Sequence, residues 1–215
     1  MKPERVLSLG VLAGATSLAY IKLVRPWVVN WGATEAEAHA ALPGDEILPY
    51  VCLQTTRAIT IEAPPESVWP WLVQMGPSPR AGVYTYDWIE RLLGINIENA
   101  DRILPEFQHL EAGEFFALNK DGSNGLYIRD VQPQRALVMQ WKNEQSTWAF
   151  VLTPAEAGKT RLLSRNRITG AGPFFWLGLA VMGPASLVME RKMLLGIRRR
   201  AEQPEPAVAP ASNGR

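Results

Sequence analysis

The sequence predicts an α+β fold in which a strand and two short helices precede an antiparallel meander, and a long helix ends the domain. Three observations support this prediction. A strand is stopped by a double proline and followed by a helix, several alternating segments are separated by turn residues, and the last apolar segment has helical spacing. The 215-residue length fits one domain of roughly 150 residues with an extension at each end.

The first strand and helix are the clearest local signal. Residues 58–63 alternate between apolar and more polar side chains, which is typical of a half-buried strand. Pro64 and Pro65 lack backbone donors and fix φ, so the strand has to stop there. Pro65 and Glu66 suit the first turn of a helix, which we predict to run from about Glu66 to Met75.

A second short helix is predicted at Tyr86–Leu93, and a meander follows it. The predicted strands are Glu114–Leu118, Gly125–Val131, Ala136–Lys142, Ser146–Thr153 and Thr160–Ile168. Turn residues separate these segments, at positions 121–122, 133–134, 143–144 and 157–158. In the last strand, Arg161, Arg165 and Arg167 share one side, and such a row of arginines is more typical of a solvent-exposed face.

The chain from Ile168 to Met189 carries no charge, and Gly183-Pro184 is expected to divide it. After Pro184, residues 187–197 have the spacing of an amphipathic helix, and the arginines at 198–200 suit its negative dipole end. Residues 203–215 are rich in proline and are predicted to be a disordered tail.

The N-terminal segment Val6–Ile21 is uncharged and is flanked by lysine and arginine on both sides. Continued through Lys22 to Val29, it is long enough to cross about 30 Å of hydrocarbon. A single membrane anchor, a cleaved signal peptide and a buried soluble helix all fit this pattern. We adopt the anchor, which predicts a single-pass protein of the bacterial cell membrane of unknown orientation. Residues 1–33 then form the anchor and residues 34–54 a wrapping linker.

Composition narrows the class of function. A net charge of +1 without an aromatic–basic motif gives no basis for binding nucleic acid. Cys52 is the only cysteine, which excludes an intrachain disulfide and a cysteine-based zinc site. His39 and His109 are too few for a histidine-rich metal centre, and no carboxylate spacing proposes a metal site. We therefore predict neither metal nor cofactor, and the oligomeric state stays open.

Four segments resemble the START-like, or SRPBCC, superfamily, which includes polyketide cyclases and lipid carriers. They are APPESVWPWL at Ala63–Leu72, YTYDWIERLLG at Tyr84–Gly94, TRLLSRNR at Thr160–Arg167 and MERKMLLGIRRRAE at Met189–Glu202. Together with WGAT at Trp31–Thr34 and LPGDE at Leu42–Glu46, they are similar to a bacterial subgroup with an N-terminal hydrophobic segment. The resemblance covers residues 55–202. It implies the helix-grip fold, in which a curved antiparallel sheet of about six to seven strands wraps around the C-terminal helix.

By this resemblance, the apolar space between sheet and helix holds a hydrophobic small molecule such as a lipid, an isoprenoid or a polyketide-like compound. The residues expected to face that space are Trp71, Trp88, Leu137, Met139, Trp141, Trp148, Phe150, Met193 and Leu194. Each of them could instead simply fill a core, because ligand pockets and cores use the same apolar side chains. The predicted function is a membrane-tethered binding or carrier protein.

Evidence for catalysis is weak. Tyr84, Tyr86, Asp87 and Glu90 cluster around the second helix and could supply a general base, but helix capping by Asp87 and a solvated Glu90 explain them better. His109 follows Glu106 by three residues and could pair with it. No catalytic residue is therefore predicted. The alternatives are a cyclase or hydrolase on the same fold, and a membrane protein without a ligand pocket.

Overall fold

The computed structural model describes residues 15, 18–92, 97–119 and 121–203. Its centre is a six-stranded antiparallel sheet with the strand order β1-β6-β5-β4-β3-β2. The strands are β1 (Leu53–Ile61), β2 (Phe115–Ala117), β3 (Gly125–Gln132), β4 (Ala136–Trp141), β5 (Ser146–Ala155) and β6 (Lys159–Ile168). Strands β2 to β6 follow one another as a meander, and β1 joins its end by pairing with β6.

Five α-helices accompany the sheet in the described part of the chain. They are α1 (Arg25–Val29), α2 (Glu35–His39), α3 (Pro65–Val73), α4 (Asp87–Leu92) and α5 (Pro173–Ala201). The predicted α+β order of a strand, two short helices, a meander and a long last helix is confirmed. The alternation of the meander placed its strands correctly, while β1 begins at Leu53, earlier than the alternating residues indicated. The predicted tail at 204–215 lies outside the described residues.

Helix α5 corrects one expectation, because it continues through Gly183 and Pro184 without interruption. A proline inside a helix removes one hydrogen bond and crowds one carbonyl, which costs about 3 kcal/mol but does not forbid the helix. Leu187, Met193 and Ile197 are buried on one side of the helix C-terminal to that proline. Burial of this stripe stabilises α5 enough to offset a local loss.

In the N-terminal region, residues 18 and 19 are helical and lead into a π-helical turn at Tyr20–Val24, which runs into α1. Within the described residues, we find no helix with both the length and the apolar character needed to cross a membrane. Most of the uncharged run Val6–Ile21, namely residues 6–14, 16 and 17, lies outside those residues. A long apolar N-terminal helix is thus not supported, and the anchor stays a prediction.

The sheet has an inner face, which is turned toward α5, and an outer face. Alternate residues of the strands project from the inner face into one buried apolar cluster with α3 and α5. The strand members of this cluster are Ile59, Ile61, Phe116, Leu126, Ile128, Leu137, Met139, Phe150, Leu152 and Leu162. Helix α5 adds Met193, Leu194, Ile197 and Ala201. The sheet therefore holds the last helix against its concave side, as the helix-grip prediction required.

Residues 37–45 cover part of the outer face that the sequence predicted to be exposed to solvent. Arg165 is only 1% exposed, and its Nη1 lies 2.7 Å from Asp45 Oδ2. Its Nη2 donates to the carbonyl oxygens of Glu37 and Ala38, at 2.8 and 3.1 Å. The expectation of a solvent-exposed arginine row is therefore wrong, since the side chains of Arg161 and Arg167 are also only 21% and 12% exposed. Strand alternation showed which residues share a face, but it could not show that the wrapping segment covers that face.

Glu37 also holds the wrapping linker, residues 34–54, against the outer face. Its ion pair with Arg161 predicts that stability depends on pH. Hydrogen bonding from Arg161, whose Nε lies 2.7 Å from the carboxylate, lowers the pKa of Glu37 from 4.5 to about 2. A carboxyl with a depressed folded-state pKa contributes stability above its unfolded value and loses it as the pH falls through the folded one. The stability advantage of the wild type over Glu37→Gln should therefore shrink between pH 4.5 and about 2. Urea unfolding across that range measures it, and a pH-independent difference would contradict the assignment.

Candidate ligand-binding site

The structure brings most of the predicted contact residues together between the inner face and α5. Trp71, Leu137, Met139, Phe150, Met193 and Leu194 are all buried members of the inner-face cluster. Trp141 and Trp148 are partly buried and pack against that cluster. Trp88 on α4 is 66% exposed and is not among the cluster's members. Contact of any of these residues with a ligand stays a prediction.

The inner face also carries a buried charge that sequence reasoning did not select. Arg57 on β1 is fully buried, and its Nη1 donates to Glu190 Oε2 on α5. Its Nε and Nη2 donate to the carbonyl oxygen of Val28 on α1, at 3.3 and 3.2 Å. Nη2 also donates to Ser186 Oγ at 3.0 Å. We call Arg57 and Glu190 the polar pair. Through its hydrogen bonds, this pair connects β1, α5 and α1.

Glu190 is the acidic half of the polar pair, and it lies among further polar groups. Asn166 Nδ2 on β6 donates to Glu190 Oε2 at 3.2 Å. The neighbouring Ser164 accepts a 2.8 Å hydrogen bond from Trp148 Nε1. Burial raises the pKa of the Glu190 carboxyl above its ordinary value, while the charge of Arg57 and the hydroxyl of Ser164 act in the opposite direction.

Two buried oxygens beside the polar pair have no hydrogen-bond partner among the described residues. They are Glu190 Oε1 and Thr55 Oγ1. Thr55 stands opposite Asn166 in the β1–β6 register, and Asn166 contacts Glu190, so both oxygens belong to one corner of the inner face. Leaving a buried acceptor unsatisfied costs about 1–3 kcal/mol, and more where it is charged. This corner, which we call the polar corner, can therefore accept a hydrogen bond from a further molecule.

A sequence signal for the polar pair did exist. Arg57 precedes Ile59 and Ile61 by two and four residues, which places it on the inner side of an alternating strand. Glu190 follows Leu187 by three residues and precedes Leu194 by four, which places it on the buried stripe of α5. Opposite charges on two faces that must both be buried indicate an ion pair between them.

The other polar candidates offer less. The Tyr84 hydroxyl donates to Trp71 O at 2.9 Å and accepts from Gln74 Nε2 at 3.0 Å, so it serves the packing of α3. Burial raises the pKa of this phenol, which makes it a poor proton donor. Glu106 and His109 are both exposed on the connector before β2. The side chains of Asp87 and Glu90 lie outside what the structure describes. The described residues contain no group of His, Cys, Asp and Glu that could hold a metal ion.

The solved structures that resemble this chain are distant neighbours. No family model matches the chain, and no curated protein matches it. A protein from Mesorhizobium loti is a structural neighbour at 19% identity and a TM-score of 0.40, covering 68% of this chain and 98% of its own. A polyketide cyclase-like protein from Corynebacterium glutamicum is similar at 15% identity and 0.37, covering 68% and 89%. The Aha1 dimer from Colwellia psychrerythraea is similar at 13% and 0.42, covering 70% and 96%.

The element order described above agrees with the helix-grip arrangement that the sequence resemblance implied. At these identities and TM-scores, the similarities transfer no ligand, activity or assembly to this chain.

Proposed function

Taking the SRPBCC-type helix-grip fold as the premise, we propose that this chain binds a hydrophobic small molecule between the inner face and α5. The observation that supports this most is the polar pair, which is buried beside an apolar cluster and has one oxygen without a partner among the described residues. A buried ion pair is poor evidence for a purely structural role, because apolar residues of similar volume often serve stability as well or better. A bound molecule that donates a hydrogen bond to Glu190 Oε1 would explain why the chain has a buried ion pair at this position.

The surrounding residues define the class of ligand. Phe150 and Trp148 lie in tilted contact with their ring centroids 4.9 Å apart, next to Met139 and the polar corner. Apolar walls with a few placed polar groups are the usual form of a small-molecule site. A lipid, an isoprenoid or a polyketide-like compound has the matching chemistry, which is a largely apolar body with one or two polar groups.

The two alternatives have less support. A cyclase or hydrolase would need a free acid or base beside its substrate, and the Tyr84 hydroxyl is engaged while His109 is exposed. A membrane protein without a pocket would rest on Phe174–Met182, whose side chains lie outside the described ones. Neither alternative accounts for the unpartnered oxygen of Glu190.

Photolabelling tests the location of the site. The full chain in lipid nanodiscs is irradiated with trifluoromethyl-phenyldiazirine, an uncharged hydrophobic probe, and the labelled peptides are mapped. We expect saturable labelling of the inner-face residues of β4 and β5 and of residues 190–197, and none of the outer-face residues Ala149 and Leu163. Labelling confined to residues 18–29, or labelling that never saturates, would contradict the proposed site, because it reports only contact with lipid.

We also propose that the chain is tethered to the bacterial cell membrane through residues 6–29. Support comes from the uncharged run Val6–Ile21 and from the exposure of Leu23 and Trp27, at 75% and 58%, beside Lys22 and Arg25. A tether would place the site where apolar ligands are concentrated. Alkaline carbonate extraction of host membranes should leave the chain in the membrane fraction, and its release into the supernatant would contradict the tether.

A further inference from the structure

We propose that the ligand presents a neutral hydroxyl, of an alcohol or a phenol, to the polar pair. This inference rests on the proposed function and adds the chemistry of the ligand's polar end. It follows from what the polar corner still lacks. Glu190 Oε1 and Thr55 Oγ1 are buried and unpartnered within the described part of the chain, so a donor is missing at this position.

The donors already present do not fill that need. Arg57 uses its Nε and Nη2 on the carbonyl of Val28 and on Ser186, and Nη1 on the other oxygen of Glu190. Asn166 also donates to that other oxygen, Oε2. The hydroxyl of Ser164 also acts on the Glu190 carboxyl, but Oε1 has no hydrogen-bond partner among the described residues. An ionised carboxylate can accept about four hydrogen bonds over its two oxygens, so Oε1 has acceptor capacity left.

Charge decides which donor fits. Arg57 and Glu190 together are neutral, so a ligand carboxylate would add an unpaired negative charge beside the buried Glu190 Oε1. An ammonium group would leave one positive charge in excess. A hydrocarbon or an ether would leave the oxygen as unsatisfied as before. A hydroxyl donates one hydrogen bond and adds no charge.

Thr55 makes the hydroxyl a better match still. A threonine hydroxyl both donates and accepts, and a ligand hydroxyl does the same. A ligand hydroxyl that donates to Glu190 Oε1 can therefore accept from Thr55 Oγ1, the second unpartnered oxygen of the corner. Both groups lie at the β1–β6 end of the inner face, where Thr55 pairs with Asn166 and Arg57 pairs with Ser164.

Competition against the photolabel tests this inference. Three matched isoprenoids are compared, namely farnesol, farnesyl methyl ether and farnesoate, which present a hydroxyl, an ether oxygen and a carboxylate. A hydrogen bond to a buried charged group discriminates strongly, so farnesol should half-compete at a concentration about tenfold or more below the other two. Equal competition by the ether in the wild type would overturn the inference while leaving the proposed function intact.

Variants test whether the preference for farnesol over its ether depends on the polar corner. Arg57→Met combined with Glu190→Leu removes both charges, so farnesol and its ether should then compete within about twofold of each other. Thr55→Val should weaken the preference in part, while its matched control Thr153→Val, at an exposed position on β5, should not change it. A preference that survives the double substitution would overturn the inference. Absence of any inner-face labelling would instead remove the proposed function, and this inference with it.

Discussion

Replacing Arg57 with methionine is expected to destabilise the fold by about 3–5 kcal/mol, because it leaves the Glu190 carboxylate buried without its cation. Combining Arg57→Met with Glu190→Leu should recover most of that loss, since two apolar side chains satisfy each other by packing. Urea unfolding followed by tryptophan fluorescence measures both variants. A double variant as unstable as the single one would contradict this account, since it would mean that the pair itself stabilises the fold.

The pH dependence of the single variant gives an independent check. Burial raises the folded-state pKa of Glu190 above its unfolded value, and removal of Arg57 takes away the main opposing influence. A raised carboxyl pKa gives stability that is present below the unfolded value and is lost as the pH rises through the folded one. Arg57→Met should therefore lose more stability at high pH than at low pH. The matched control Lys159→Met breaks an exposed pair with Glu62 and should cost under about 1 kcal/mol.

Replacing Gly32 with alanine is expected to lower the free energy of unfolding by about 3 kcal/mol or more. It should also release the segment from α1 to Gly32 from its contact with β1. Gly32 has a φ of +74°, and an added Cβ would lie 2.1 Å from the carbonyl oxygen of Ala58. That approach is fixed by the Ala58 N–H, which donates to Trp31 O at 3.0 Å. The strain of a left-handed alanine and the clash with the Ala58 carbonyl therefore both contribute to the loss of stability.

Gly158 supplies the matched control for this substitution. Its φ of +73° is nearly the same, but an added Cβ would meet nothing within 4 Å. Gly158→Ala should therefore cost only the conformational part, about 1–2 kcal/mol. Equal losses in urea unfolding for the two variants would show that the contact with Ala58 does not constrain the segment. Because Val28 on the same segment accepts from Arg57, its release would also disturb the polar pair.

The sequence was sufficient for the parts of the fold that local rules decide. The alternation in β4 and β5 placed Leu137 and Phe150 on the inner face, and the double proline at 64–65 fixed where α3 begins. The continuity of α5 through Pro184 could not be predicted in this way, because the outcome depends on tertiary burial of the helix beyond the proline. The cover over Arg165 depends on contacts between distant segments, such as the one with Asp45.

The candidate site was predictable only in part, for a related reason. Apolar residues such as Met139 and Leu194 are recognisable from periodicity, which does not distinguish a core from a ligand contact. Trp88 shows the limit of assigning a role from residue type, since the structure leaves it 66% exposed. The polar pair joins residues 133 positions apart, so its two halves each resemble an ordinary surface charge until the fold brings them together.

Native mass spectrometry with solvent extraction, on the full chain purified from its own host, tests the central claim most directly. We expect one hydrophobic molecule per chain, which carries a hydroxyl and is removed by extraction. The amount of this molecule that co-purifies should be lower for the variant that combines Arg57→Met with Glu190→Leu. A hydroxyl-free ligand would refute the role assigned to Glu190 Oε1 but keep the binding function. The mass of the bare chain alone, together with no saturable labelling of the inner face, would contradict the proposal that this fold holds a ligand.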